Sequence, residues 1–159
     1  MNILNAMLAM MAWSGLIVAI LLIQIVAIFG AILTARASEY FGNLTVLIVI
    51  NIIWAFLCIR AFYIHTPTEF YLIAGLVGMV MGGLQSLSRA TYSKYLPTTN
   101  DTASFFSFYS VTEKIAIIFG MIMFGTIDQI TGSMRNSILF FAVLFIAGVI
   151  LLLRVPRHN

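Results

Sequence analysis

Residues 44–63 read LTVLIVINIIWAFLCIRAFY, and this stretch decides the fold. From Leu44 to Ile59 it holds no charged side chain. A helix that crosses about 30 Å of hydrocarbon needs roughly 20 mostly apolar residues, so the run is long enough to span. A strand reading fails, because polar and apolar positions do not alternate and an open sheet in lipid leaves its edge N–H and C=O groups without partners. The stretch reads as a transmembrane helix.

Working outward, four more runs of this kind appear at residues 13–34, 70–89, 105–127 and 137–153. Between the five lie polar hinges at 35–43, at 65–69 with Pro67, at 92–104 with Pro97, and at 128–135. Thr98, Thr99, Asn100 and Asp101 suit turns and helix caps, since their short side chains bond nearby backbone N–H groups. The expected architecture is an all-α integral membrane bundle of about five helices, with residues 1–159 as one domain. Residues 1–13 carry no Lys or Arg, and the run behind them is too long for a signal core, so the first span is expected to stay in the mature protein.

The composition agrees: 62% of residues are hydrophobic and 8% charged, with a mean hydropathy of +1.10. A soluble domain carries about 25% charged residues and cannot hide so much apolar surface, so the surplus faces a lipid bilayer. The net charge of +3 does not point to nucleic acid, because the eight Lys and Arg residues form no patch or stripe. Cys58 is the single cysteine and has no partner for a disulfide or a thiolate metal site. There is no Gly-rich phosphate loop, no His pair at metal spacing and no nucleophile elbow, so neither enzymatic chemistry, nor a metal, nor a cofactor is expected.

Basic residues give an orientation. If the first helix enters from outside, Arg36, Arg89, Lys94, Arg154 and Arg157 fall at cytoplasmic ends and only Arg60 and Arg135 fall outside. The C-terminus is then cytoplasmic. Trp13, Trp54, Tyr40, Tyr63, Tyr71 and Tyr92 fall mostly near span ends, where amphipathic rings anchor in headgroups.

An ionisable side chain in the bilayer costs several kcal/mol and needs a reason. Glu113 and Lys114 are the strongest candidates: the apolar run after them, 115–127, is too short to span alone, so their helix starts earlier and carries them inward. Ser110, Lys114, Met121 and Gly125 share one helical face, with Tyr109, Glu113 and Gly120 beside it, and this side is expected to point into the bundle. The functional reading is a charged pair on a solute or proton path; the plainer one is that Lys114 snorkels to the interface and Glu113 neutralises it. Gln24, Asn51 and Gln85 are single amides that either bond a neighbouring helix or face a solute. Gly75, Gly78, Gly82 and Gly83 sit at intervals that let two helix backbones approach closely, as do Gly120 and Gly125.

The run from Gly82 to Arg89 (GGLQSLSR), the run from Phe105 to Lys114 (FFSFYSVTEK) and the segment from Gly120 to Gly125 together resemble the major facilitator superfamily. More narrowly, they resemble the C-terminal half of bacterial relatives of the vacuolar effluxers linked to autophagy, over nearly the whole chain. The resemblance implies that the five spans match the eighth to twelfth helices of a twelve-helix transporter, with a missing N-terminal half or a second membrane chain as partner. It implies a bacterial inner membrane location. It makes residues 35–42 similar to the superfamily's cytoplasmic loop motif, Gly-x-Leu-Ala-Asp-Arg-x-Gly. Glu39 keeps the acid and Gly42 the last glycine, while Ala35 replaces the first glycine, Arg36 stands at the variable second position and Tyr40 replaces the base. Met121 stands where proline commonly follows the first glycine of a second pattern. The first, third and fourth spans would border a central cavity, so Gln24, Gln85, Tyr109, Glu113 and Lys114 would face it.

The function expected from this resemblance is secondary transport of a small polar solute, by a chain that is a C-terminal fragment. The relatives' association with amino-acid efflux does not carry a substrate across so broad a superfamily, because function lives in the site. The alternative is a membrane scaffold or assembly subunit without transport of its own.

Overall fold

The computed structural model describes the backbone of residues 3–97 and 101–155. Five helices follow one another: α1 Ile3–Phe41, α2 Asn43–Phe62, α3 Pro67–Lys94, α4 Thr102–Thr131 and α5 Met134–Leu153. All five are long and apolar enough to cross a membrane, α1 through Ile20–Phe41. No strand occurs among the described residues.

The helices outrun the hydrophobic runs. The stretch 35–43 is helical as far as Phe41, and only Gly42 interrupts it. The hinge at 92–104 loses its ends to α3 and α4, the hinge at 65–69 loses its end to α3, and the hinge at 128–135 shrinks to Gly132 and Ser133. Hydropathy marks the hydrocarbon slab, whereas backbone hydrogen bonding carries a helix past it until a cap stops it.

The stops are local chemistry. Gly42, at φ 82°, and Gly132, at φ 63°, adopt a left-handed backbone that glycine enters without penalty. Thr66 caps α3 by accepting the Glu69 N–H at 3.3 Å, with Pro67 in the first turn, where a missing N–H does no harm. Asp101 caps α4 by accepting the Ser104 N–H at 3.3 Å, and these bonds hold its carboxyl below the usual carboxylate range. Inside the spans, Thr34, Thr91, Thr112 and Thr126 donate their hydroxyls to the carbonyl four residues back, so none reaches lipid unsatisfied.

α1 and α3 run parallel and pack closest. A methyl group at Gly30 would strike the Met79 backbone, one at Gly78 the Ile23 backbone, one at Gly82 the Ala27 backbone, and one at Gly83 the Thr34 side chain. α2 packs on α3 and α5 and carries most of the core, with Leu47, Ile50 and Leu57 meeting Val80 and Leu87 of α3. Asn51 is buried within α2, donating to the Leu47 carbonyl at 2.9 Å, and Trp54 stacks on Phe145 of α5 at 5.0 Å. α4 lies at the edge. It packs on α5, where Ser137 donates to the Phe124 carbonyl, and none of its residues is buried.

Candidate functional site

The α3 and α4 backbones do not pack against each other. Side chains at one end of the bundle bridge them instead. Arg89 meets Glu113 at 3.3 Å, and its guanidinium lies 5.8 Å from the centre of the Tyr109 ring. The Ser88 and Tyr109 hydroxyls are 2.9 Å apart, Tyr92 packs on the Tyr109 ring, and the Tyr92 hydroxyl donates to the Phe105 carbonyl at 3.1 Å. These contacts follow from consecutive spans that run antiparallel, so that the end of α3 meets the start of α4 and the long Arg89 side chain reaches on to Glu113.

The bridge spans a cleft. Its polar part, about 530 Å³, is lined by Gln85, Ser86, Arg89, Ser93 and Glu113 over a floor that includes Gly82. A second part, about 690 Å³, is mostly apolar and runs past Ile117, Gly120, Met121 and Gly125 to Phe141 and Phe145. Gln85 and Glu113 line both parts, so an amide and a carboxylate stand at the boundary between wet and greasy surface. Both volumes fall in the range of small-molecule sites, in which a few polar groups orient a ligand against apolar walls.

Of the residues singled out from sequence, the structure brings Gln85 and Glu113 together on the cleft wall, whereas Tyr109 touches Ser88, Arg89 and Tyr92 beside it and lines neither part of the cleft. Gln24 is exposed on α1 and does not border the cleft. Lys114 is exposed and, among the described residues, makes no hydrogen bond or ion pair, so Glu113 pairs with Arg89 rather than with its neighbour. One step along a helix turns a side chain by about 100°, which separates the two. Gly75 and Gly120 have ordinary side-chain neighbours, whereas Gly125 has open space where a Cβ would stand and borders the cleft instead of a helix.

Arg89 and Ser88 were not singled out as site residues. Their signal was chain order: α3 and α4 are consecutive, so the end of α3 that carries Ser88 and Arg89 lies beside the start of α4. Near the same end, Glu39 and Gly42 border a polar cavity of about 470 Å³ shared with Lys94, whose ammonium donates to Asn43 at 2.9 Å. Arg36 is exposed on the helical end of α1 and does not line this cavity.

An all-helical membrane bundle with a polar-mouthed cleft between two helices is the class this fold and site define. The chain belongs to the vacuole effluxer Atg22-like family, whose profile matches residues 1–159. It is 31% identical to the uncharacterized MFS-type transporter YxiO of Bacillus subtilis, over 92% of this chain and 34% of that protein. It is 36% identical to autophagy-related protein 22-1 of Penicillium rubens, over 58% of this chain and 15% of that protein. With autophagy-related protein 22 of Yarrowia lipolytica it shares 31% identity over 60% of this chain and 16% of that protein. The chain therefore spans about a third of its bacterial relative and less of the fungal ones. No solved structure matches it.

Proposed function

We propose that this chain forms the C-terminal part of a major-facilitator-type secondary transporter, in which the α3–α4 cleft is half of the path of a small polar solute. The cleft carries the proposal, because Gln85 and Glu113 border both its polar mouth and its apolar interior. Gln85, Ser86 and Ser93 offer uncharged hydrogen-bonding groups to a solute, and the Arg89–Glu113 pair closes one end. Breaking that pair opens the end, and this is the local event alternating access requires.

The bare α4 is the surface that the remaining helices cover, so the 159-residue chain alone does not transport. Charge placement supports a cytoplasmic C-terminus in a bacterial inner membrane. Lys94 is tied to Asn43 at the end holding Arg36 and Arg154, whereas Arg135 donates to the Ile64 carbonyl at the end holding Arg60. The richer end is the cytoplasmic one.

Cysteine accessibility tests the path without knowing the solute. With Cys58→Ser as background, Gln85→Cys is expected to react with a membrane-impermeant maleimide in inverted membrane vesicles, while Ile52→Cys on the exposed face of α2 stays unlabelled. No reaction at Gln85 overturns the cleft as a water-filled path. Uptake of radiolabelled amino acids by liposomes holding only the monomeric chain would overturn the need for further helices. If Glu113→Ala instead altered complex formation and left flux unchanged, the scaffold reading would replace this one.

A further inference from the structure

The opposite end of the bundle holds a smaller feature that the transport reading does not use. Where α2 turns into α3, a groove of about 210 Å³ lies between the two helices. Arg60, in the last turn of α2, and Glu69, in the first turn of α3, both line it. Phe56, Leu72 and Leu76 line it deeper in the span and are strongly exposed. Its apolar length therefore opens sideways, where the bilayer lies.

The two charges face one groove without closing on each other. Arg60 lies near enough for its charge to act on Glu69. Yet the only ion pair among the described residues is Arg89–Glu113, and the Arg60 side chain makes no hydrogen bond among them. One carboxylate oxygen of Glu69 accepts the His65 N–H at 3.2 Å, and the Thr66 N–H and hydroxyl lie close by, so the group is fixed at the start of α3 while its side chain stays exposed. A cation and an anion held apart at headgroup depth, above an apolar slot, match a molecule with the opposite charges in reverse order and an acyl chain below.

We propose that this groove binds a zwitterionic glycerophospholipid with a primary ammonium headgroup, its phosphate on Arg60, its ammonium on Glu69 and one acyl chain along Phe56, Leu72 and Leu76. A guanidinium gives a phosphate parallel N–H donors, and an ammonium gives a carboxylate charge-assisted bonds that a trimethylated amine cannot make. The site is a shallow groove open along its apolar side, where a lipid can lie partly in the bilayer, and it sits at the far end from the α3–α4 cleft. It requires only that the chain lies in a bilayer, so it stands or falls apart from transport.

Native mass spectrometry of the purified 159-residue chain tests it, with phosphatidylethanolamine, phosphatidylcholine and phosphatidylglycerol of identical acyl chains as probes. The wild type is expected to hold phosphatidylethanolamine about tenfold more tightly than phosphatidylcholine, a difference of about 1.4 kcal/mol. Glu69→Gln keeps an oxygen for the His65 N–H, so the start of α3 stands, and it should abolish that preference while leaving phosphatidylcholine unchanged. Arg60→Gln should weaken both lipids alike. Leu72→Trp fills the slot without touching a charge and should lower binding of all three lipids. Equal affinity for the two zwitterionic lipids in the wild type, or an unchanged preference in Glu69→Gln, overturns the proposal. So does binding unaffected by Leu72→Trp. A chain that binds no lipid but dimerises, and loses the dimer on Leu72→Trp, would make the groove a protein interface and refute the lipid assignment.

Discussion

Arg89 and Glu113 touch through a single N–O contact, and the arginine side chain is 59% exposed. In water such a pair contributes at most about 1 kcal/mol. Deeper in the bilayer the comparison changes, because a charge left alone at the centre of a span costs about 2.5–3.5 kcal/mol on insertion scales, and Glu113 lies further into its span than Arg89 does. Partnership is therefore worth more to Glu113 than the contact is worth in itself. Glu113→Ala and Arg89→Ala should each lower the thermal unfolding midpoint of the purified chain in detergent, and the double variant should lose less than the sum, with a coupling of about 0.5–1 kcal/mol. Strictly additive losses would mean that the pair contributes nothing. Glu113 was legible in the sequence because a charge inside an apolar run stands out. Its partner was not, because Arg89 sits where a span meets the interface and a basic residue there needs no special reason. Only the folded hairpin brings the two together. Lys114 shows the converse: adjacency in sequence suggested a pair that helical geometry turns apart.

At the scale of elements, the α1–α3 seam depends on what is missing from it. Gly82 meets the Ala27 backbone and Gly78 the Ile23 backbone, so neither position admits a side chain without separating the helices. Gly82→Leu should destabilise the bundle by about 1–3 kcal/mol, the usual cost of forcing atoms into a packed contact. Gly125→Ala, with open space around it, should be neutral or stabilising by up to about 1 kcal/mol, as helix propensity favours alanine. Thermal unfolding of both variants checks the pair, and a Gly82→Leu protein as stable as wild type would show that the seam is loose. The five spans were legible because hydrocarbon thickness sets a length that composition must fill. The cap at Asp101 was legible from its side-chain type, but most ends were not, since Gly42, Thr66 and Gly132 set helix limits by backbone geometry and caps that hydropathy does not weigh. The glycine row announced a close approach but not its partner, because α1 becomes the neighbour of α3 only once α2 has turned back between them.

For the whole molecule, the imbalance between α2 and α4 is the fact that most needs a cause. Within their spans 44% of α2 is buried and none of α4, although α4 carries Glu113, Lys114 and the wall of the cleft. A helix covered on one side only, by α5, suits lipid only if the rest of it is apolar, and α4 is not. Its polar side must meet water, a solute or further protein, and the bacterial relative has two thirds of its length outside the match. Hydrogen exchange resolves which. In the isolated chain in detergent, the amides of α4 should exchange faster than those of α2, because only α5 and the Arg89–Tyr109 bridge hold it. In native membranes, where the proposed transporter adds helices against it, α4 should gain protection while α2 stays the same. If α4 were already as protected as α2 in the isolated chain, the five helices would form a closed unit, and its polar side would have to be satisfied by contacts within the bundle rather than by a partner.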